Sequence, residues 1–189
     1  MIFTIGYAQF SIDAFLDTLR KYDISAIADV RSAPFSKYKP DFIKDKIQKH
    51  LGRNHMAYLF LGDMLGARIK DPAVYLDNKL SYELLSKSDF WTKGINKLLD
   101  ESGKYRLAIM CAEKDPLHCH RTFLICRTLR SFSLRIHHIL EEGSLEEHAD
   151  TEKRILENYG LEQSDIFRSE SDILEDAYDR MCEKIVLTP

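Results

Sequence analysis

The sequence predicts an α/β fold: a mostly parallel sheet of about five strands flanked by helices, with a C-terminal helical appendage. Three observations predict it. Apolar runs of strand length recur along the 189 residues, at Ile2–Ile5, Ile24–Ala28, Met56–Leu61, Arg106–Met110 and Ile136–Leu140. Segments with helical spacing of apolar residues separate them, and such alternation is the mark of parallel βαβ units. Two strands exit into reactive or charged residues, Asp29-Val30-Arg31 and Cys111-Ala112-Glu113. In open α/β sheets ligands bind outside the carboxyl ends of strands, so those exits point to a site.

Each element has a local cause. The first strand closes at Gly6-Tyr7. Ser11 caps the next helix, Phe10 packs on Phe15 as a hydrophobic staple, and Ile12, Phe15, Leu16 and Leu19 give it one apolar face. The second strand runs into Asp29-Val30-Arg31 and is broken by Ser32-Ala33-Pro34. A second helix starts at Asp41, buries Ile43, Ile47 and Leu51, and stops at Gly52. The third strand leads through a Gly-bearing loop, 62–68, into weak periodicity up to Asn78. Helices at Leu80–Lys87 and Phe90–Leu99 follow. After the fourth strand, Asp115 caps a helix with Pro116 at its first position, because proline lacks the N–H that a first turn leaves unpaired. That helix carries His118, Cys119 and His120 in its first turns. Beyond the fifth strand, the capping box Ser144-Leu145-Glu146-Glu147 starts a helix that Gly160 ends, and a last helix covers Ile173–Ile185. Residues 1–143 therefore read as the core domain, and 144–189 as an acidic helical extension packed on it.

Composition narrows the class. No stretch of about 18 apolar residues exists to span a membrane, and no basic-then-apolar leader opens the chain. Four cysteines at this length do not make a disulfide scaffold, so a cytoplasmic location with reduced thiols is expected. The net charge of −3 hides an asymmetry: residues 141–189 hold 15 acids and 5 bases, residues 1–140 hold 15 acids and 22 bases. A basic body suits an anionic partner, or an acidic tail folded back on it.

The densest chemical cluster is Cys111, Glu113, His118, Cys119, His120 and Arg121. A cysteine near a helix N-terminus is stabilised as thiolate, which makes Cys111 or Cys119 a candidate nucleophile with His118 or His120 as base. Cys119 also shares a helical face with Phe123 and Cys126, a spacing that equally suits a core position. Cys111, His118, Cys119 and His120 carry the right ligand types for zinc, although a Cys-x7-Cys spacing is unusual for a structural site. Asp29 and Arg31 lie two apart on a strand end and therefore on one side of it, either facing a site or paired with each other. Arg68, beside Gly66, and Arg121 suit a phosphate or carboxylate through the guanidinium fork. Lys37 opens a basic run to Arg53 in which Phe35 and Tyr38 are interleaved, a pattern that can track a nucleic-acid backbone or simply cover a solvated helix.

Several of these residues resemble one family. Thr4-Ile5-Gly6, Asp29-Val30-Arg31-Ser32 with Pro34, Pro40 with Phe42, Leu65-Gly66 with Arg68, Cys111-Ala112-Glu113, Cys119-His120-Arg121, His138-Ile139 and His148 are similar to the bacterial and archaeal family called domain of unknown function 488. The resemblance covers residues 1–148, with Tyr7-Ala8 where the family usually has histidine and serine. It implies a site at those motifs but names no reaction. An Asp-Val-Arg strand end and a later strand-ending cysteine are also the rhodanese layout. The loop after Cys111, however, has no glycine and two acids, and cradles an anion poorly.

The sequence thus predicts an enzyme or ligand-binding protein acting on a phosphorylated or nucleotide-like anion. Cys111, Glu113, Cys119, His120 and Asp29 are the candidate catalytic groups, and Arg31, Arg68, Arg121, Tyr7 and Lys37 the candidate ligand contacts. No cofactor is required by the sequence. The alternatives are a non-catalytic nucleic-acid-binding module and a rhodanese-like thiol or sulfur-transfer enzyme.

Overall fold

The computed structural model describes residues 1–161 and 168–184. Its strands are β1 (Ile2–Gly6), β2 (Ala26–Asp29), β3 (Ala57–Phe60), a small hairpin β4 (Tyr75–Leu76) and β5 (Lys79–Leu80), β6 (Leu107–Cys111), β7 (Ile136–Ile139) and β8 (Leu145–Glu147). The main helices are α1 (Ile12–Lys21), α2 (Lys44–Arg53), α3 (Gly62–Leu65), α4 (Tyr82–Ser86), α5 (Asp89–Lys104), α6 (Arg127–Leu129, continuing a π-helical stretch Arg121–Cys126), α7 (His148–Tyr159) and α8 (Glu170–Lys184). Six strands form one sheet in the order β3-β2-β6-β1-β7-β8, all parallel except β8, which runs antiparallel to β7. No helix among the described residues is long and apolar enough to cross a membrane.

The local rules hold where they depend on neighbours. Ser11 accepts a hydrogen bond from the Ala14 N–H at 3.2 Å, and Phe10 meets Phe15 edge-on with ring centroids 6.1 Å apart. Asp115 caps Leu117 at 2.9 Å, and Gly160 ends α7 at φ 63°. Four expectations are corrected. Gly52 lies inside α2, which ends at Arg53 with Asn54 as its cap. Leu80 belongs to the β4–β5 hairpin. Ser144 starts no helix, because Leu145–Glu147 add to the sheet edge as β8 and α7 begins only at His148. The turn that Asp115 caps is one 3-10 turn, Pro116–His118, not the start of a long helix. Ile185, where the last helix was expected to end, lies outside the described residues.

Two cores sandwich the sheet. On one face α1 and α2 bury Phe15, Leu19, Ile47 and Leu51 against Phe3, Ile5, Ile27 and Met110. On the other, α5, the 121–129 helix and the C-terminal helices bury Trp91, Phe123, Leu124, Ile155 and Tyr178 against Ala28, Leu107 and Ile109. The chain leaving β1 and β2 thus crosses one face, and the chain leaving β6 crosses the other. Since β6 lies between β1 and β2, the connections part on both sides of its carboxyl end. That is the topological switch point where open α/β sheets hold ligands.

Candidate functional site

The end of β6 is held by neighbours that permit one loop path. Gly6 is the register partner of Cys111, and a Cβ on Gly6 would collide with the carbonyl oxygen of Glu113. Only glycine lets the 112–114 loop cross the end of β1 so closely. Arg121, wholly buried, grips the same loop, with Nη1 donating to the Glu113 carbonyl at 2.6 Å and Nη2 to the Lys114 carbonyl at 3.2 Å. Both terminal nitrogens of its fork thus hold the loop, while Nε is buried without a partner.

After the 3-10 turn, Cys119 is extended, with φ −130° and ψ 134°. This break turns its side chain back toward Cys111. Glu113 Oε2 lies 2.9 Å from Cys111 Sγ and 3.0 Å from Cys119 Sγ. His120 Nδ1 lies 3.5 Å from the first sulfur and 3.9 Å from the second. His120 Nε2 meets the Val30 carbonyl oxygen at 3.2 Å. A carbonyl only accepts, so Nε2 carries a proton and Nδ1 is the nitrogen turned to the sulfurs. One donor atom from each of Cys111, Glu113, Cys119 and His120 fits within a sphere of contacts no wider than 4.8 Å. Cys111, Cys119 and His120 are buried, while Glu113 reaches the surface and turns its carboxyl group inward.

The protons follow this packing. The hydrogen bond to Cys119, with burial, pushes the Cys111 thiol well up. Burial pushes Cys119 up too, but the hydrogen bond from Cys111 and the Arg121 and His120 charges outweigh it and hold Cys119 well below an ordinary thiol. Burial and the Cys119 charge raise the Glu113 carboxyl. Burial opposes charge on His120, yet the bond and charge of Cys119 raise it.

The expected single site is split. The pleat sends Asp29 and Arg31, with Ile27, to the α1–α2 face and Cys111 to the opposite one. There Arg31 pairs with Asp29 through two bonds, Nε to Oδ1 at 2.8 Å and Nη2 to Oδ2 at 2.6 Å. Tyr58 adds its hydroxyl to Asp29 at 2.7 Å. The Arg31 guanidinium lies 4.8 Å from the Tyr7 ring centroid, and Tyr7 stacks on Phe42. Arg31 Nη1 is buried without a partner. Asp29 therefore sits away from the sulfurs, and Tyr7 contacts the arginine. Arg68 is exposed, lining a cavity of about 620 Å³ with Ser32, Gly62, Gly66 and Phe90. Lys37 is exposed on the loop after β2. His118 faces solvent on the 3-10 turn and leaves the metal-ligand set in which it was expected, with Glu113 in its place. Cys126 is a wholly buried core residue.

Sequence reasoning missed the Val30 carbonyl, which has no side-chain signature, and a buried chain of polar groups beyond the cluster. Thr4 Oγ1 meets His138 Nδ1 at 2.7 Å, His138 Nε2 meets His148 Nδ1 at 2.9 Å, and His148 Nε2 meets the Tyr178 hydroxyl at 3.2 Å. Tyr178 in turn donates to Glu152 at 2.8 Å. That last donation fixes the rest: His148 donates to Tyr178, His138 to His148, and Thr4 to His138. The only available signal for it was the resemblance, which included His138 and His148.

Fold and site together define an α/β protein with a thiol–carboxylate–imidazole cluster at the carboxyl edge of its sheet. The chain belongs to the family described as "Domain of unknown function DUF488", whose model matches residues 11–127. Comparisons with curated proteins and with solved structures find no match.

Proposed function

We propose that the chain is a metal-dependent enzyme whose zinc-like ion is held by Cys111, Glu113, Cys119 and His120, and which performs hydrolysis or group transfer on an anionic ligand. The observation that carries this reading is the orientation of His120. Its Nε2 is tied to the Val30 carbonyl while Nδ1 faces two sulfurs and a carboxyl oxygen, as a metal-ligating histidine is oriented by the hydrogen bond its other nitrogen makes. Zinc bonds of about 2.0–2.3 Å in a tetrahedron put donor atoms about 3.3–3.8 Å apart. The thiol–imidazole separations are 3.5 Å, inside this range, and 3.9 Å, just above it, and the closer thiol–carboxyl contacts are hydrogen bonds that disappear when the thiols lose their protons.

The ligand set is also asymmetric. Two cysteines and a histidine are buried, whereas Glu113 comes from the solvent side. Catalytic zinc keeps three protein ligands and one replaceable position. Glu113 is the ligand that can yield to water or substrate. An ion here would supply Lewis acidity and an activated water at neutral pH. Cys126, His138 and His148 form a second, wholly buried group with donor atoms within 4.8 Å of one another, and the Cys119→Ser and His120→Gln variants distinguish the two groups.

An anionic substrate is favoured by the exposed Arg68, which lines a cavity with Ser32, Gly62 and Gly66 and carries an open guanidinium fork. A persulfide carrier on Cys111 is disfavoured, because the Glu113 carboxyl group sits 2.9 Å from the sulfur that would carry the negative group.

The test is metal content. Protein refolded in zinc and dialysed against buffer should retain one ion per chain, and Cys119→Ser and His120→Gln should retain none. Retention by both variants, or no ion in the parent chain, overturns the reading.

A further inference from the structure

We infer that the loop after β2 and one stripe of α2 form a binding surface for single-stranded nucleic acid. Phe35 is 68% exposed and Tyr38 90% exposed, on a loop of eight residues between Arg31 and Pro40. Large aromatics are ordinarily buried, and two displayed together on one loop mark a contact surface. The loop is not loose. Lys39 N–H donates to Ser36 Oγ at 3.0 Å, Lys39 Nζ donates to the Phe10 carbonyl at 2.9 Å, and Lys44 N–H donates to the Pro34 carbonyl at 3.0 Å. The rings are therefore presented on an anchored frame, and little ordering is needed on binding.

Positive charge is dense in the same stretch of sequence. Between Ser32 and His55 stand six Lys/Arg and two Asp. On α2, Lys46, Lys49 and Arg53 are all exposed and follow an i, i+3, i+7 spacing, which puts them on one stripe about 10 Å long. Together with Lys37 they have no ion-pair partner among the described residues, while Asp41 is engaged by His50. Exposed rings and unpaired cations on one continuous segment suit bases and phosphates at once: each unpaired base stacks on a ring, and the backbone runs along the lysines. A protein partner would instead call for an apolar patch depleted of lysine. A duplex hides its base faces, so the rings select single strands.

This surface lies on the α1–α2 side of the sheet and does not depend on the metal reading, so either can fail alone. The test is fluorescence anisotropy of the full chain with labelled oligothymidylate and oligouridylate longer than a ~16-nucleotide site, across a salt series. Saturable binding is expected, tighter than to duplex of the same length. Phe35→Ala and Tyr38→Ala should each weaken it at least about fivefold. Lys46→Gln with Lys49→Gln should flatten the salt slope by about 1.4, at about 0.7 per cation for single strands. Both aromatics are exposed, so unchanged melting of these variants confirms that folding is intact. Absence of binding at low salt, equal binding of duplex, indifference to the two alanine substitutions, or equal capture of anionic phosphatidylserine vesicles would each overturn the inference.

Discussion

His120 Nε2 lies 3.2 Å from the carbonyl oxygen of Val30, ninety positions earlier in the chain. Through that bond the backbone just beyond β2 sets the ring of a residue that follows β6, and the imidazole turns its other nitrogen to Cys111 and Cys119. His120→Gln removes both the donor nitrogen and its orientation. Losing an outer-shell partner alone typically costs 10–100-fold in metal affinity, so loss of the ligand itself should exceed about 100-fold. Competition with a chelator of known affinity measures it, and a loss under tenfold would remove His120 from the ligand set.

Gly6→Ala tests the loop path. The added Cβ meets the Glu113 carbonyl, a backbone atom that cannot swing away as a side chain could. The 112–114 loop must shift, and overpacking of this kind costs about 1–3 kcal/mol. Thermal midpoint and metal retention should fall together. A variant that melts normally and holds its ion would show that the crossing is unconstrained.

Arg31 is held by Asp29, and the pair is buried on both sides, 5% and 0% exposed. Breaking a buried pair by removing one partner costs about 3–5 kcal/mol because it strands the other charge. Arg31→Met should therefore lower stability by that order without any ligand present, and Asp29→Asn in the same chain should restore part of it. Strictly additive losses would mean the two do not interact.

Much of this architecture was legible because its causes are local. Ser11, Phe10 with Phe15, Asp115 with Pro116, and Gly160 act on neighbours in sequence, and each sits where its chemistry requires. The chemistry of Cys111, Glu113, Cys119 and His120 was visible as residue types. Their convergence was not, because it depends on the break at Cys119 and on a backbone carbonyl far away. Alternation put Asp29 and Arg31 on one side correctly, but which face that was relative to Cys111 depends on strand register, which no single strand encodes. Ser144 misled because its capping pattern is real, and pairing of Leu145–Glu147 with β7 overrides it.

The His138–His148 chain predicts an acid limit on stability. Burial, with His148 nearby, holds His138 well below 6.5, and burial with the Arg130 charge lowers His148 to about 4. In the unfolded chain both titrate near 6.5. Between those values the unfolded chain binds protons that the folded chain refuses, so stability is full above about 6.5 and is lost as pH falls toward 4, by up to about 1.4 kcal/mol per unit for each histidine. Denaturant unfolding at several pH values reads the slope. His148→Leu should flatten it, whatever it does to stability at neutral pH, and an unchanged slope would mean that His148 is protonated in the fold.

The central claim is that two thiolates and one imidazole share an ion. Titrating the thiol-reduced chain with cobalt(II) tests it most directly, because cobalt reports both its coordination number and its sulfur ligands. The account predicts saturation at one equivalent, intense tetrahedral d–d bands and a thiolate-to-cobalt charge-transfer band, which is lost in Cys111→Ser and in Cys119→Ser and is displaced by zinc in the parent chain. Weak octahedral absorption without a charge-transfer band, unchanged by either substitution, would contradict it.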